Sequence, residues 1–309
     1  MPGLSSWLDV DWSAHARWVE VAGAPVNVVE LAPPGVEDPE AIVFIHGHSG
    51  SWQNWLEQLP VLARRFRVIA MDLPGFGQSP MPREPVTISG YAKIVEELLD
   101  RLDVSAAAVV GNSMGGFVGA ELAICFPPRV ERLVLVSAAG LATRYIGFPL
   151  KVMDRFGEPV LTRVGPLLAP VEERARAMAA RPGLRRAGFL LLSPHPERLD
   201  PRLFYENVMA SGRKPAAGIA AAEIARYDFR DRLQEIACPT LVVWGDRDRV
   251  VPPSSADEFE RLIPDARKVV FDDCGHVPMM EAPERFNLLL EDFLDEAPNE
   301  QVDETSEAA

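Results

Sequence analysis

The segment whose residue types and spacing point most directly to chemistry is Gly111-Asn112-Ser113-Met114-Gly115, followed by Gly116. An apolar run, AAAVV (106–110), precedes it, and GGFVGAELAICF (115–126) follows with helical character. A serine that is to act as a nucleophile must project from a very sharp strand-to-helix turn, and G-x-S-x-G is the arrangement that allows it. Side chains beside such a turn would clash, and glycines remove the clash. The same turn aims the Met114 backbone N–H, at a helix N-terminus, toward an oxygen that gains negative charge during attack on a carbonyl.

A serine hydroxyl is a weak nucleophile and needs a base. The chain has five histidines: His15, His46, His48, His195 and His276. His276 follows the apolar run KVVF (268–271) in a turn, DDCGHVPMMEAP, before the last helical pattern. Loops at the C-terminal ends of strands are where α/β sheets place their sites, so His276 is the expected base. His195 stands between two prolines and reads as a surface residue, and His15 reads as structural or exposed. The base needs a carboxylate on its other ring nitrogen. Asp246 and Asp248 both lie in WGDRDRVVP, directly after the run TLVVW, and the residues alone leave the two in competition. Asp272 and Asp273 flank His276, but the strand end can direct them elsewhere. The chain order of serine, acid and histidine is that of one known triad arrangement.

A fourth element is His46-Gly47-His48-Ser49-Gly50-Ser51 after the run AIVFI (41–45). Glycines there let the chain fold tightly and offer a second donor, the His48 backbone N–H. His46 can be read as a base, or with His48 as a metal pair. The reading preferred here is a strand-end histidine packed beneath the site. No metal and no organic cofactor are expected.

These segments must be held by a framework, and the hydrophobic pattern describes one. Residues 16–31 read as two strands around Gly23-Ala24-Pro25. The run at 41–45 reads as a strand buried on both faces, and the runs at 66–72, 106–111, 133–137, 240–245 and 268–271 read as further strands. Between them fall helical patterns: Trp52 to Arg65; Tyr91, Ile94, Val95, Leu98, Leu99 and Leu102; a helix around Phe259 with Ser254 and Asp257 in capping-box register; and a last one through Phe286, Leu290 and Leu294. Strand–helix alternation predicts an α/β fold, a mostly parallel sheet with helices on both faces. The alternation fails between about Leu141 and Leu233, where helical patches such as VEERARAMAA (171–180) recur without a buried-strand run. An inserted helical unit is predicted there.

Composition bounds the partners. Of 309 residues, 48% are hydrophobic, enough for a sizeable core. A net charge of −14 argues against a nucleic-acid partner and against attachment to anionic lipid. Part of that charge is local: after Arg285 there is no Lys or Arg, while Glu291, Asp292, Asp295, Glu296, Glu300, Asp303, Glu304 and Glu307 follow, which reads as a solvated acidic tail. Three cysteines give neither a disulfide framework nor a metal spacing. The N-terminal stretch lacks the pattern of a signal peptide and no run has the length of a membrane span, so a cytoplasmic protein without stable membrane insertion is expected, acting on a small-molecule substrate.

The segments HGHSGS (46–51), DLPGFGQS (72–79), GNSMGG (111–116), WGDRDRVVP (244–252) and GHVPMMEAPERF (275–286), in this order, resemble the α/β-hydrolase superfamily. The resemblance implies a discontinuous core, 1–140 with 234–297, a helical cap at 141–233 and an acidic tail at 298–309. It selects the last acid of the W-G-x-x-D segment, Asp248, over Asp246, and gives the set Ser113, Asp248 and His276 with His48 and Met114 as oxyanion donors. Ser113 sets the chain apart from relatives that carry Asp there to open epoxides or remove halides. The leading expectation is hydrolysis of a carboxylic ester. GNSMGG also resembles hydrolases that cleave carbon–carbon bonds in ring-fission products. Those enzymes usually carry Pro-Gly where Ser49-Gly50-Ser51 stands, and Trp where Val277 stands. Cap arginines such as Arg155, Arg163, Arg185 or Arg186 would be the carboxylate binders in that case. A third expectation from another class is a ligand receptor on this fold with slow or vestigial hydrolysis.

Overall fold

The computed structural model describes residues 6–141, 172–211 and 214–296. Eight strands form one sheet: β1 (Ala16–Val21), β2 (Ala24–Leu31), β3 (Ala41–Ile45), β4 (Arg67–Met71), β5 (Ala107–Asn112), β6 (Val130–Val136), β7 (Thr240–Gly245) and β8 (Ala266–Phe271). Their order across the sheet is β1-β2-β4-β3-β5-β6-β7-β8. Neighbours from β4 through β8 pair in parallel, and β2 runs antiparallel to both β1 and β4. Every residue of β3, β5 and β7 is buried, because helices cover both faces.

The period-2 geometry of strands sorts the core into two layers. Val43, Ile45, Val109, Leu133, Leu135, Val242 and Trp244 face one way, against α2 (Ile88–Arg101), α3 (Met114–Cys125) and α8 (Ser254–Leu262). Ile42, Phe44, Val110, Val134, Val136, Leu241 and Val243 face the other, against α1 (Leu59–Leu62) and α10 (Pro283–Asp295). The described part of the stretch between β6 and β7 contains no strand. It holds α4 (Glu172–Ala180), α5 (Pro182–Phe189), α6 (Pro201–Ala210) and α7 (Ala217–Arg226). A short helix, α9 (Pro278–Glu281), follows the β8 loop. No described helix is long and apolar enough to cross a membrane.

Four local expectations are corrected. The β1–β2 turn is Ala22-Gly23, with φ of 50° and 69°, so Ala24 and Pro25 already belong to β2. Two consecutive positive φ values match the twist of a tight hairpin better than a turn containing proline would. The pattern from Trp52 to Arg65 does not form one helix: it divides into a 3-10 turn, Trp52–Trp55, and α1, because Pro60 has no N–H to continue a helix from the preceding turn. The Ser254/Asp257 capping box does not form. Pro253 occupies the cap position, and the Asp257 carboxylate instead accepts from Lys268 Nζ at 2.5 Å. Of the acidic residues after Arg285, Glu291, Asp292 and Asp295 belong to α10, Asp295 pairs with Arg65 and Glu296 with Arg267, so this part is structured and not a solvated tail; residues 298–309, Arg155 and Arg163 lie outside the described residues.

Candidate active site

β5 delivers Ser113 to the C-terminal edge of the sheet and α3 begins at the next residue. Ser113 has φ 54° and ψ −115°, a conformation that costs a residue with a Cβ about 1–3 kcal/mol. Two bonds over-determine it. Its N–H donates to the Val136 carbonyl at 2.9 Å, and its carbonyl accepts from Ala139 N at 3.0 Å. Gly115 makes the turn possible, since a Cβ there would lie 2.1 Å from the Ile45 carbonyl oxygen. Among residues 111–120 Ser113 alone is not buried.

His276 lies in the loop after β8 and Asp248 in the loop after β7. Both are buried, and His276 Nδ1 sits 2.7 Å from Asp248 Oδ2. The other carboxylate oxygen, Oδ1, accepts from the N–H groups of Val250 (2.8 Å) and Val251 (2.9 Å). A carboxylate whose Oδ1 already takes two backbone N–H groups only accepts, so Nδ1 carries the imidazole proton and Nε2 keeps its lone pair. Asp246, the competitor in sequence, accepts from Cys274 N at 3.2 Å and does not meet the imidazole. Asp273 turns toward Arg198, Arg247 and His195.

The segment after β3 runs against the Ser113 turn: a Cβ on Gly47 would be 2.9 Å from Asn112 Oδ1 and 3.2 Å from Ser113 Cβ. His46 is fully buried beneath it. Its Nε2 accepts from Leu73 N at 2.9 Å, which leaves Nδ1–H to donate to the Gly47 carbonyl at 2.7 Å. Burial holds its pKa below the ordinary value, so a neutral, doubly bonded ring occupies the position expected of a packed histidine. The His48 ring is also depressed by burial. It bonds through Nε2 to the Ala217 carbonyl of α7 at 2.8 Å and meets Ser49 Oγ at 3.0 Å. Among the described residues no three His, Cys, Asp or Glu side chains are grouped as a metal ion would need.

Three side chains differ from what the sequence predicts or carry no signal in it. His195 is not a surface bystander: it is half-buried, with Nε2 2.9 Å from Asp273 Oδ1 on the loop that carries His276. Arg185 is buried and donates to the carbonyls of Ala179 and Glu197, which ties α4 to the turn before α6 rather than presenting a free guanidinium. Asn112, passed over as the variable position of the glycine motif, donates from Nδ2 to the carbonyls of Val136 and His276, each at 3.1 Å. Only its neighbour relation to Ser113 could have signalled it, because its partner lies 164 residues away.

A profile described as the alpha/beta hydrolase fold matches residues 40–283. The chain is 33% identical over 281 residues to a Pseudomonas putida protein named as the dihydrolipoyllysine-residue acetyltransferase component of an acetoin cleaving system, covering 89% of this chain and 68% of that one. It is 32% identical over 297 residues to the 2-hydroxy-6-oxononadienedioate/2-hydroxy-6-oxononatrienedioate hydrolase 2 of Pseudomonas putida, covering 93% and 99%. Among solved structures, the enol-lactonase of Burkholderia xenovorans LB400 superimposes with a TM-score of 0.72 at 25% identity, covering 91% of this chain and all of that one (100%). With a serine on a strained strand–helix turn, a histidine–carboxylate pair on the loops after β7 and β8, and a profile match over most of its length, the chain belongs to the α/β-hydrolase family.

Proposed function

We propose that the chain is a serine hydrolase that cleaves a small to medium, apolar carboxylic ester through an acyl-enzyme. Ser113 is the nucleophile, His276 the base, and Asp248 the group that orients the imidazole. The observation that carries the reading is the buried 2.7 Å contact between His276 Nδ1 and Asp248 Oδ2, which favours the tautomer with its lone pair on Nε2, at the sheet edge that also holds Ser113.

In this reading Nε2 takes the Ser113 proton as Oγ attacks the ester carbonyl carbon. The carbonyl electron pair moves to oxygen, where the backbone N–H groups of His48 and Met114 receive it. Collapse expels the alkoxide, which leaves as an alcohol with the proton from the imidazolium. Water then repeats the cycle on the acyl-serine with the same base and releases the acid. The steps use these residues and water alone. The helical stretch at 141–233 acts as a cap that excludes water and shapes the pocket. His48 supports this role, since its ring reaches from the proposed oxyanion loop to α7.

The test is turnover of nitrophenyl esters of graded chain length by wild type and Ser113→Ala. Equal, low rates in both would sink the proposal. Labelling by a fluorophosphonate reports separately whether Ser113 is activated.

A second reading is favoured by the Pseudomonas putida dienedioate hydrolase, which this chain matches over 99% of its length. There the same Ser113 and His276 would cleave a carbon–carbon bond of a ring-fission diketone. Decay of a coloured dienol substrate, dependent on His276, distinguishes it from the ester reading.

A further inference from the structure

The segment DLPGFGQS (72–79) takes no part in the proposed reaction, yet its first two residues hold both ends of the segment that carries the His48 N–H. That segment leaves β3 at its C-terminal end and runs into the 3-10 turn Trp52–Trp55. Residue 73 ties its start: Leu73 N–H donates to His46 Nε2 at 2.9 Å, and His46 Nδ1–H donates onward to the Gly47 carbonyl at 2.7 Å. Residue 72 ties its end: Trp52 N–H donates to Asp72 Oδ1 at 2.8 Å. Between the two ties lie residues 48–51. Gly50 N closes a turn onto the Gly47 carbonyl at 2.9 Å, and Ser49 sits at φ 64°. A non-glycine residue keeps such a φ only where its surroundings over-determine it. The bond from the His48 ring to the Ala217 carbonyl holds that side chain and leaves the direction of the His48 N–H to the backbone on either side.

The Asp72 carboxylate is buried and its two oxygens carry unequal loads. Among the described residues Oδ1 takes the Trp52 N–H, while Oδ2 takes both Asn27 Nδ2 (2.8 Å) and Gln78 N (2.9 Å). Gly77, with φ 54°, makes room for this: a Cβ there would lie 2.4 Å from Oδ2. An amide of the same shape has one acceptor oxygen and one donor nitrogen. It keeps two bonds by placing its oxygen where Oδ2 stands, and its NH2 then faces the Trp52 N–H. Changing Asp72 to Asn therefore cuts the tie to the segment after β3 and spares the other two. The Trp52 ring packs on Trp12 with centroids 5.1 Å apart, a contact that anchors the side chain but not the N–H.

We propose that Asp72 is a positioning residue whose Oδ1, through the Trp52 N–H, sets the direction of the His48 N–H. The inference rests on the reading of that N–H as an oxyanion donor. With the tie made, residues 48–51 span two fixed points and the donor is aimed before the substrate arrives. With it cut, the segment is fixed at His46 and Gly47 only, and the donor loses its aim while Ser113, His276 and Asp248 keep theirs. The loss then falls on the transition state and not on substrate binding.

The experiment compares wild type, Asp72→Asn and Asn27→Ala by hydrogen exchange, ester kinetics and inhibition by a trifluoromethyl ketone, whose adduct with a serine carries the oxyanion. Exchange reads the tie without reference to activity. Asp72→Asn is expected to speed exchange in the peptide around Trp52 by roughly tenfold or more, and in the peptide around Gln78 by less than about threefold. Its kcat is expected to fall by about 10–100-fold with KM changed by less than about threefold, and affinity for the ketone should fall in step with kcat/KM. Asn27→Ala removes a donor from Oδ2 and leaves the Trp52 tie, so it should lower stability while keeping kcat within about threefold of wild type. Should Asp72→Asn fail to fold, replacing the Trp52 amide by an ester deletes the N–H, keeps both side chains and is expected to give the same kinetic loss. Equal acceleration in the two peptides, unchanged exchange around Trp52, an unchanged kcat, or an equal loss of kcat in Asn27→Ala would each overturn the proposal. If Ser113→Ala proves as active as wild type, the hydrolase reading fails, while exchange in the two peptides still decides whether Asp72 holds the segment.

Discussion

Asn112, the residue immediately before Ser113, donates from its side-chain Nδ2 to the backbone carbonyl of His276 at 3.1 Å. The same nitrogen donates to the Val136 carbonyl, so one amide spans β6, the Ser113 turn and the His276 loop. In Asn112→Leu, which keeps the branch at Cγ and removes the donor, the His276 loop loses its tie to the turn. The kcat for a nitrophenyl ester is expected to fall by about tenfold or more with KM nearly unchanged, because small displacements of a base are costly. Stability should fall by roughly 1–3 kcal/mol in urea unfolding, the cost of leaving the His276 carbonyl without this donor, whereas the Val136 carbonyl still accepts from Ser113 N.

Asp248 and Asp246 stand two residues apart and make an internal control. Asp248→Asn would favour the wrong imidazole tautomer and is expected to lower kcat by about 10⁴. Asp246→Asn should leave kcat within about threefold, since an amide oxygen can accept the same Cys274 N–H. Steady-state kinetics of the pair decides between them. Comparable losses in both variants would contradict the assignment.

Stability should carry the signature of a buried neutral histidine. Burial lowers the pKa of His46 from its ordinary value of 6.5, so below that pH the unfolded chain binds a proton that the folded one refuses. The contribution is absent above 6.5 and grows as pH falls toward the folded value, lowering unfolding free energy by up to ~1.4 kcal/mol per pH unit. His48 acts in the same direction, while the raised carboxyls of Glu57, Glu206 and Glu281 oppose it at lower pH. Those groups remain in His46→Gln, so the difference in slope between the two proteins isolates His46. Urea unfolding at a series of pH values should give a flatter profile for the variant.

Two glycines should respond oppositely to the same change. In Gly115→Ala the added carbon would press on the Ile45 carbonyl oxygen at 2.1 Å, backbone that cannot yield cheaply, and a loss of more than about 3 kcal/mol or failure to fold is expected. Gly183 lies in α5 with nothing within 4 Å of an added Cβ. Gly183→Ala should raise stability by about 0.4–1 kcal/mol through helix propensity and a less flexible unfolded chain. Thermal unfolding of both variants checks the pair.

The strands and the helices α2, α3, α8 and α10 were legible because burial writes itself into local periodicity: a strand covered on both faces is an unbroken apolar run, and a surface helix shows one apolar stripe. Ser113 was legible for the same local reason, since its turn demands glycine within two residues on either side. The choice of Asp248 over Asp246 came from family resemblance. In the fold it rests on loop geometry, with Oδ2 reaching the imidazole across 28 residues of chain. Local pattern misled where one residue outweighed the period, as Pro60 did in the Trp52–Arg65 stretch and as Lys268 did by drawing Asp257 away from a cap. The roles of Asn112, His48, His195 and Glu281 were not legible at all. Each acts through a partner brought near by the fold: the His276 carbonyl, the Ala217 carbonyl, Asp273, and the backbone of residues 275 and 277. The sequence by itself determined which elements form and which residue sits on the strained turn, because those depend on steric and hydrophobic demands over a few residues. Only the tertiary structure decided how the histidine is held, because directed hydrogen bonds depend on where distant segments meet.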